Sequence, residues 1–320
     1  MSKTRNVNLG AAGPSQPNQG GLIKAAPYYR MTKAKERRAT KAGQLIYRME
    51  KELAAPAADR LLVRYGLLST GVEIDFQMTM DLIKKLKTTR PRILGSYMTF
   101  NMLQLISNAR NEADHDDLVA LISNETGNFS VLRDFCGSLG DTNAAIEAQR
   151  LMNHAQNDDW QSALTFHFWF TDVYNDHVAH CLCMIVYAVI IIYLAVSLYE
   201  FRLTRYPLAI EPPPIDAYSN LKFFKQEQKK NVNYFGPGGD RRRDRELLKE
   251  CLNARKQNRH SGHKETFSGW VSQLDDIIRL LDVMKFGFRA RAVESIRDTL
   301  IVARRRGTIV SSTLFPSLFN

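Results

Sequence analysis

Apolar residues recur along most of this chain at three- and four-residue spacing, the mark of helix faces turned to a core. Thr32 to Leu53 (TKAKERRATKAGQLIYRMEKEL) sets Leu45, Ile46, Met49 and Leu53 on one face and a dense basic face opposite, and Pro56 is expected to interrupt it. Between Ala57 and Asp176 turn signals separate short helical patterns: DRLLVRYGLL, DFQMTMDLIKKL, ILGSYMTFNMLQLISNAR, DDLVALI, FSVLRDFCGSL, TNAAIEAQRLMNHA and WQSALTFHFWF. Strand signals are nearly absent, and no signature recurs at a fixed period. The fold class is therefore all-α, with a helical-hairpin region over 31–176.

One segment differs. Val178 to Phe201 (VAHCLCMIVYAVIIIYLAVSLYEF) has no charge between Cys181 and Tyr199. As a helix it would be about 36 Å long, enough for a hydrocarbon layer of about 30 Å, and it predicts a transmembrane helix over 178–201. Phe166, Phe168, Trp169, Phe170 and Tyr174 gather on one side, and Tyr199, Phe201 and Tyr206 on the other, as rings do at membrane interfaces. Arg202 and Arg205 follow at once, which makes them candidates for anionic lipid headgroups such as cardiolipin. The competing reading is a central helix of a large soluble core, which is also apolar all round.

Beyond it, Pro207, Pro212, Pro213 and Pro214 predict an extended, helix-free strap over 202–240. Asp240 is placed to cap a basic helix running to about Lys256. Trp270, Leu274, Ile277, Leu281, Met284 and Phe288 then repeat at alternating spacings of four and three, a packing seam. Gly287 is expected to end that helix, and Val293, Ile296 and Leu300 mark a second. Together these make a C-terminal helical region over 241–306, closing in a hairpin, with a tail over 307–320.

Charge refines the picture. The 320 residues carry 44 Lys and Arg against 33 Asp and Glu, a net of +11, yet the mean hydropathy of −0.29 is ordinary. The balance runs +11 over residues 1–100, −10 over 101–200 and +10 over 201–320. Residues 1–30 form a basic irregular leader without an acid, which suits either a mitochondrial transit segment or a disordered basic tail. Four cysteines, Cys136, Cys181, Cys183 and Cys251, make no disulfide framework and fit buried thiols or a reducing compartment.

Candidate chemistry is sparse. His177, His180 and Cys181 cluster at the start of the apolar segment, and His177 and Cys181 share a helix face within reach of one metal. His180 is a conceivable haem ligand. One helix does not complete such a site, so no cofactor is expected. His260 and His263 stand in a polar linker without a nearby Cys, GPGGD lacks the ending of a phosphate loop, and no serine elbow or Cys/His nucleophile pattern occurs. The runs Arg241, Arg242, Arg243, Arg245 and Arg304, Arg305, Arg306 suggest phosphate binding, but Asp240, Asp244, Glu246 and Glu250 interleave the first and aromatics are not spaced through either. Nucleic acid is accordingly set behind acidic subunits and lipid. These features give the expectation of a non-catalytic, single-pass accessory subunit of a mitochondrial inner-membrane complex, respiratory chain or ATP synthase. The rivals are a nucleic-acid-binding or viral structural protein with a membrane-contacting segment, and a membrane electron carrier using His177 and His180.

Overall fold

The computed structural model describes residues 32–71, 74, 76–94, 96–114, 118–170, 180–205, 215–230, 235, 240–260 and 266–316. The leader, His177, the four strap prolines and His263 lie outside them.

The chain is mostly helical. Its N-terminal part runs α1 (Lys33–Arg48), a π-helical segment (Met49–Ala54), α2 (Ala55–Arg64), α3 (Phe76–Thr89), α4 (Phe100–Asp114), α5 (Leu118–Ser123), α6 (Glu125–Ser138), α7 (Thr142–Gln156), α8 (Trp160–Leu164) and β1 (His167–Trp169). The C-terminal part runs α9 (His180–Arg205), α10 (Ala217–Lys230), α11 (Arg241–His260), α12 (Phe267–Val283), α13 (Gly287–Arg306), β2 (Thr308–Val310) and α14 (Ser311–Leu314).

Pro56 does not interrupt the first helix. The Thr32 hydroxyl caps α1 by accepting from the Lys35 amide, and helical geometry then continues through Arg64. Within the π segment the Ala55 amide donates to the Glu50 carbonyl, which shifts the ladder by one residue just ahead of the proline. Pro56 then falls at the start of α2, where its missing N–H costs nothing. The basic face expected along the whole of α1 is confined to its exposed first turns, for Ala42 to Glu50 are all buried. Among these, Arg48 donates from its guanidinium to the Ala163 carbonyl at 2.7 Å and from Nε to Glu52 at 2.8 Å.

Around α9 the packing is closed. One stretch, Ile185–Arg205, is long and apolar enough to cross a membrane, and 83% of its most apolar window is buried inside the protein. α1, α10, α11 and α12 all pack on it. Of the rings expected at two membrane interfaces, Tyr174 and Tyr206 lie outside the described residues; Phe166, Phe170, Tyr199 and Phe201 are buried against protein, Phe170 packing edge-on against Phe267 at 6.3 Å and Phe201 lying 5.6 Å from both Phe224 and Phe235.

Three other expectations change. The region read as a helix-free strap contains α10, because proline restricts only itself and the residue before it. Past Ile215, Asp216 caps the helix by accepting from the Ser219 amide at 2.6 Å, and Ala217, Leu221, Phe224 and Gln228 bury one face. The segment read as one helix from Ile93 is helical only from Phe100, where Thr99 caps it through the Met102 amide. The tail carries β2, which pairs antiparallel with β1 in the register His167↔Val310, and Ile309, Leu314 and Phe315 are buried. Gly307, at φ 78°, ends α13 in the left-handed conformation that releases the chain into that strand.

α12 and α13 pack on each other across a three-residue connection. Trp270, Leu274, Ile277, Leu281 and Met284 are buried as the seam requires, but Phe288 is 73% exposed. Lys285 sits at φ 70°, which breaks the helical phase after Met284, so Gly287 opens α13 rather than closing α12.

Candidate functional site

The helices around α9 carry the chain's cationic character. α1, α10 and α11 together hold 18 of the 44 Lys and Arg but only five of the 33 Asp and Glu. These 50 residues sum to +13, and the other 270 to −2. The positive charge that the whole-chain average spreads over 320 residues is thus concentrated on three of the four helices that pack on α9; the fourth, α12, carries one Arg against three Asp.

Local chemistry decides how much of it is available. Arg202 turns inward onto α10, donating to Asn220 Oδ1 at 3.1 Å with its guanidinium 3.7 Å from the centre of the Phe223 ring. Arg205 stays exposed, its guanidinium 5.3 Å from the Phe201 ring one turn back. Arg304 lies between Phe170 and Phe267, 5.8 and 5.3 Å from their centroids, while Arg305 and Arg306 end α13 where the helix dipole favours cations. Arg289 ties three elements: it holds Glu36 of α1 at 2.9 Å and Glu200 of α9 at 2.8 Å. Burial works against its charge, and those hydrogen bonds more than restore it, so its pKa lies above the ordinary guanidinium value.

The start of α11 is different. Asp240 caps it by accepting from the Arg242 and Arg243 amides at 2.8 and 3.1 Å. Arg242, Arg243 and Arg245 are exposed and form no salt bridge among the described residues. Asp244, between them in sequence, is buried, and burial pushes its carboxyl above the usual range. Three cations at a helix N-terminus oppose the dipole, so local stability does not account for them. The first turns of α1 add exposed Lys33, Lys35 and Arg37. Arg38, beside them, is bound bidentately by Glu125 at 2.9 and 3.0 Å.

Of the metal-ligand candidates, His177 lies outside the described residues. His180 and Cys181 occupy the first turn of α9, and His260 the last position of α11. Among the described residues no three His, Cys, Asp or Glu side chains are grouped to hold an ion. Cys136, Cys183 and Cys251 are buried and form no disulfide among the described residues. Burial pushes the Cys136 thiol up to about 12 and the Cys251 thiol well above its usual value. An open groove of about 580 Å³ runs along α13, lined by side chains of both signs that include Arg291, Glu294, Asp298 and Thr313.

Sequence reasoning missed the concentration of charge on the wrapping of α9. The signal was present, because each of the three helices is basic when counted alone. What was absent was the knowledge that all three pack on one apolar helix. No protein-family model matches the chain, no curated protein matches it, and no solved structure matches it.

Proposed function

We propose that this chain is a water-soluble, non-catalytic structural protein that binds a nucleic-acid polyanion, with α9 as its core. The observation that carries the reading is the enclosure of α9 by four helices that together bear a net +11, +13 on α1, α10 and α11 and −2 on α12. A helix in hydrocarbon does not keep such neighbours: a charged side chain at bilayer depth costs several kcal/mol, and α10 and α11 together hold twelve Lys and Arg. In water the same arrangement leaves an apolar core and a cationic exterior, which attracts phosphate backbones by releasing their counterions. Exposed Arg242, Arg243 and Arg245 are the first contacts expected. Binding of a labelled oligonucleotide, followed by anisotropy from about 50 to 200 mM salt, tests this. Affinity falling steeply with salt, and weakened further by R242S/R243S/R245S, supports it; no binding at low salt overturns it.

A second reading keeps α9 as a membrane span and the chain as an accessory subunit of a mitochondrial inner-membrane complex. Its support is the length and apolarity of Ile185–Arg205. It requires α1, α10, α11 and α12 to separate from α9, and it leaves Arg205 better placed than Arg202 to meet a lipid headgroup.

A further inference from the structure

Residues 82–111 contain Lys84, Lys85, Lys87, Arg90, Arg92 and Arg110 and no Asp or Glu, although this stretch belongs neither to the wrapping of α9 nor to either arginine run. Within it the connection between α3 and α4 is anchored, not loose. Leu94 and Met98 are buried at 3% and 0% exposure, the Arg90 amide donates to the Leu86 carbonyl at 2.8 Å, and the Ile93 amide to the Arg90 carbonyl at 3.1 Å. Lys84 Nζ reaches Ser107 Oγ at 3.4 Å, which ties α3 to α4.

On this anchored connection two aromatic rings face outward: Tyr97 is 83% exposed and Phe100 56%. Lys85, Arg90 and Arg92 are exposed on the same connection and the adjoining turn of α3, and form no ion pair among the described residues. Asn101, Gln104, Asn108 and Asn111 follow along the exposed face of α4 at spacings of three, four and three. Two large rings held out by an anchored connection beside exposed cations suit a flat, anionic partner.

We infer that the α3–α4 connection is a binding surface for single-stranded nucleic acid, with Tyr97 and Phe100 stacking unpaired bases, Lys85, Arg90 and Arg92 holding phosphates, and the amides of α4 meeting base edges. A duplex keeps its bases stacked inside, so it offers these rings nothing; a single strand offers a π-face at every nucleotide. The inference rests on the polyanion reading for the class of ligand and adds the strand form and the place of the bases.

The test uses the full chain and a labelled 20-nucleotide oligouridylate, with a duplex of the same length and anionic phosphatidylserine vesicles as comparators. Y97A/F100A removes two exposed rings, so its thermal unfolding stays that of the wild type while its affinity for oligouridylate falls about 10- to 100-fold. Its affinity for the duplex is unchanged, and Y97F retains single-strand binding. R90S/R92S lowers the slope of log affinity against log salt by about 1.4, at about 0.7 for each phosphate no longer neutralised. Equal binding of single strand and duplex, unaltered by Y97A/F100A, overturns this inference and leaves the polyanion reading standing. Loss of vesicle binding alone in Y97A/F100A makes the patch a membrane contact and also overturns it. Failure of the wild type to bind any nucleic acid overturns both.

Discussion

Truncation of Ile190 and Ile192 to alanine, one at a time, measures whether α9 is enclosed on all sides. Two residues apart on a helix, these side chains leave the axis about 200° from one another, so they report on opposite faces. Both are buried, at 0% and 2% exposure. Ile192 faces α1, where its Cδ1 lies 3.6 Å from the position a Cβ on Gly43 would take. Removing a buried isoleucine to Cβ costs the lost transfer energy plus the cavity left behind, together about 2–5 kcal/mol, so each variant loses about 3 kcal/mol. At about 2.1 cal/mol/K of unfolding entropy per residue, that is a drop of about 4–5 °C in Tm for a chain of this length. Urea unfolding followed by circular dichroism at 25 °C gives the free energy directly. A helix with one face in lipid would refill that side with acyl chain, and one of the two variants would stay within about 0.5 kcal/mol of the wild type. That result refutes the enclosure.

Three further outcomes follow from the packing. R289A leaves Glu36 and Glu200 facing each other without their shared cation, and a loss of about 3 kcal/mol in urea unfolding is expected, with E36Q/R289M losing less than the sum of the single changes. Asp141 caps α7 through the Ala144 amide and pairs with Arg60, and these bonds hold its carboxyl below the usual range; its contribution is present above about pH 4 and is lost as pH falls through the depressed folded value. D141A therefore costs about 1 kcal/mol at pH 7 and has a flatter stability profile between pH 5 and 2 than the wild type, read by thermal melts across that range. G43A places its methyl 3.6 Å from Ile192 Cδ1 and Leu121 Cδ1, an ordinary contact, so the gain in helix propensity raises stability by about 0.5–1 kcal/mol in the same urea assay.

Helix content was legible because it is written in local spacing. The faces bearing Trp270 to Met284 and Val293 to Leu300 are buried in the positions their periodicity assigned, and Asp240 caps α11 as its place before an arginine run implied. Readings that depended on where a helix begins or resumes fared worse. Pro56 was absorbed by a π turn, Phe288 lost its phase at Lys285, and the strap prolines did not reach past Ile215, because each outcome turns on one or two backbone angles. β1 and β2 are three residues each, too short for alternation to register, and they pair across some 140 residues of sequence. The apolar segment shows the limit most clearly. Composition makes Val178 to Phe201 equally suitable for lipid and for a protein interior, and only the identity of the neighbours decides between them. The candidate surfaces were hidden for the same reason: exposure at Tyr97 and Phe100 and the gathering of charge around α9 are properties of tertiary packing.

The central claim is that α9 is covered by protein rather than by lipid. Alkaline carbonate extraction of membranes from cells expressing the full chain, followed by detergent-free size-exclusion chromatography with light scattering, tests it in one experiment. Release into the supernatant is expected, with a monodisperse species of 36.5 kDa or an integral multiple of it. Retention of the chain in the carbonate-washed membrane, recoverable only with detergent, contradicts it.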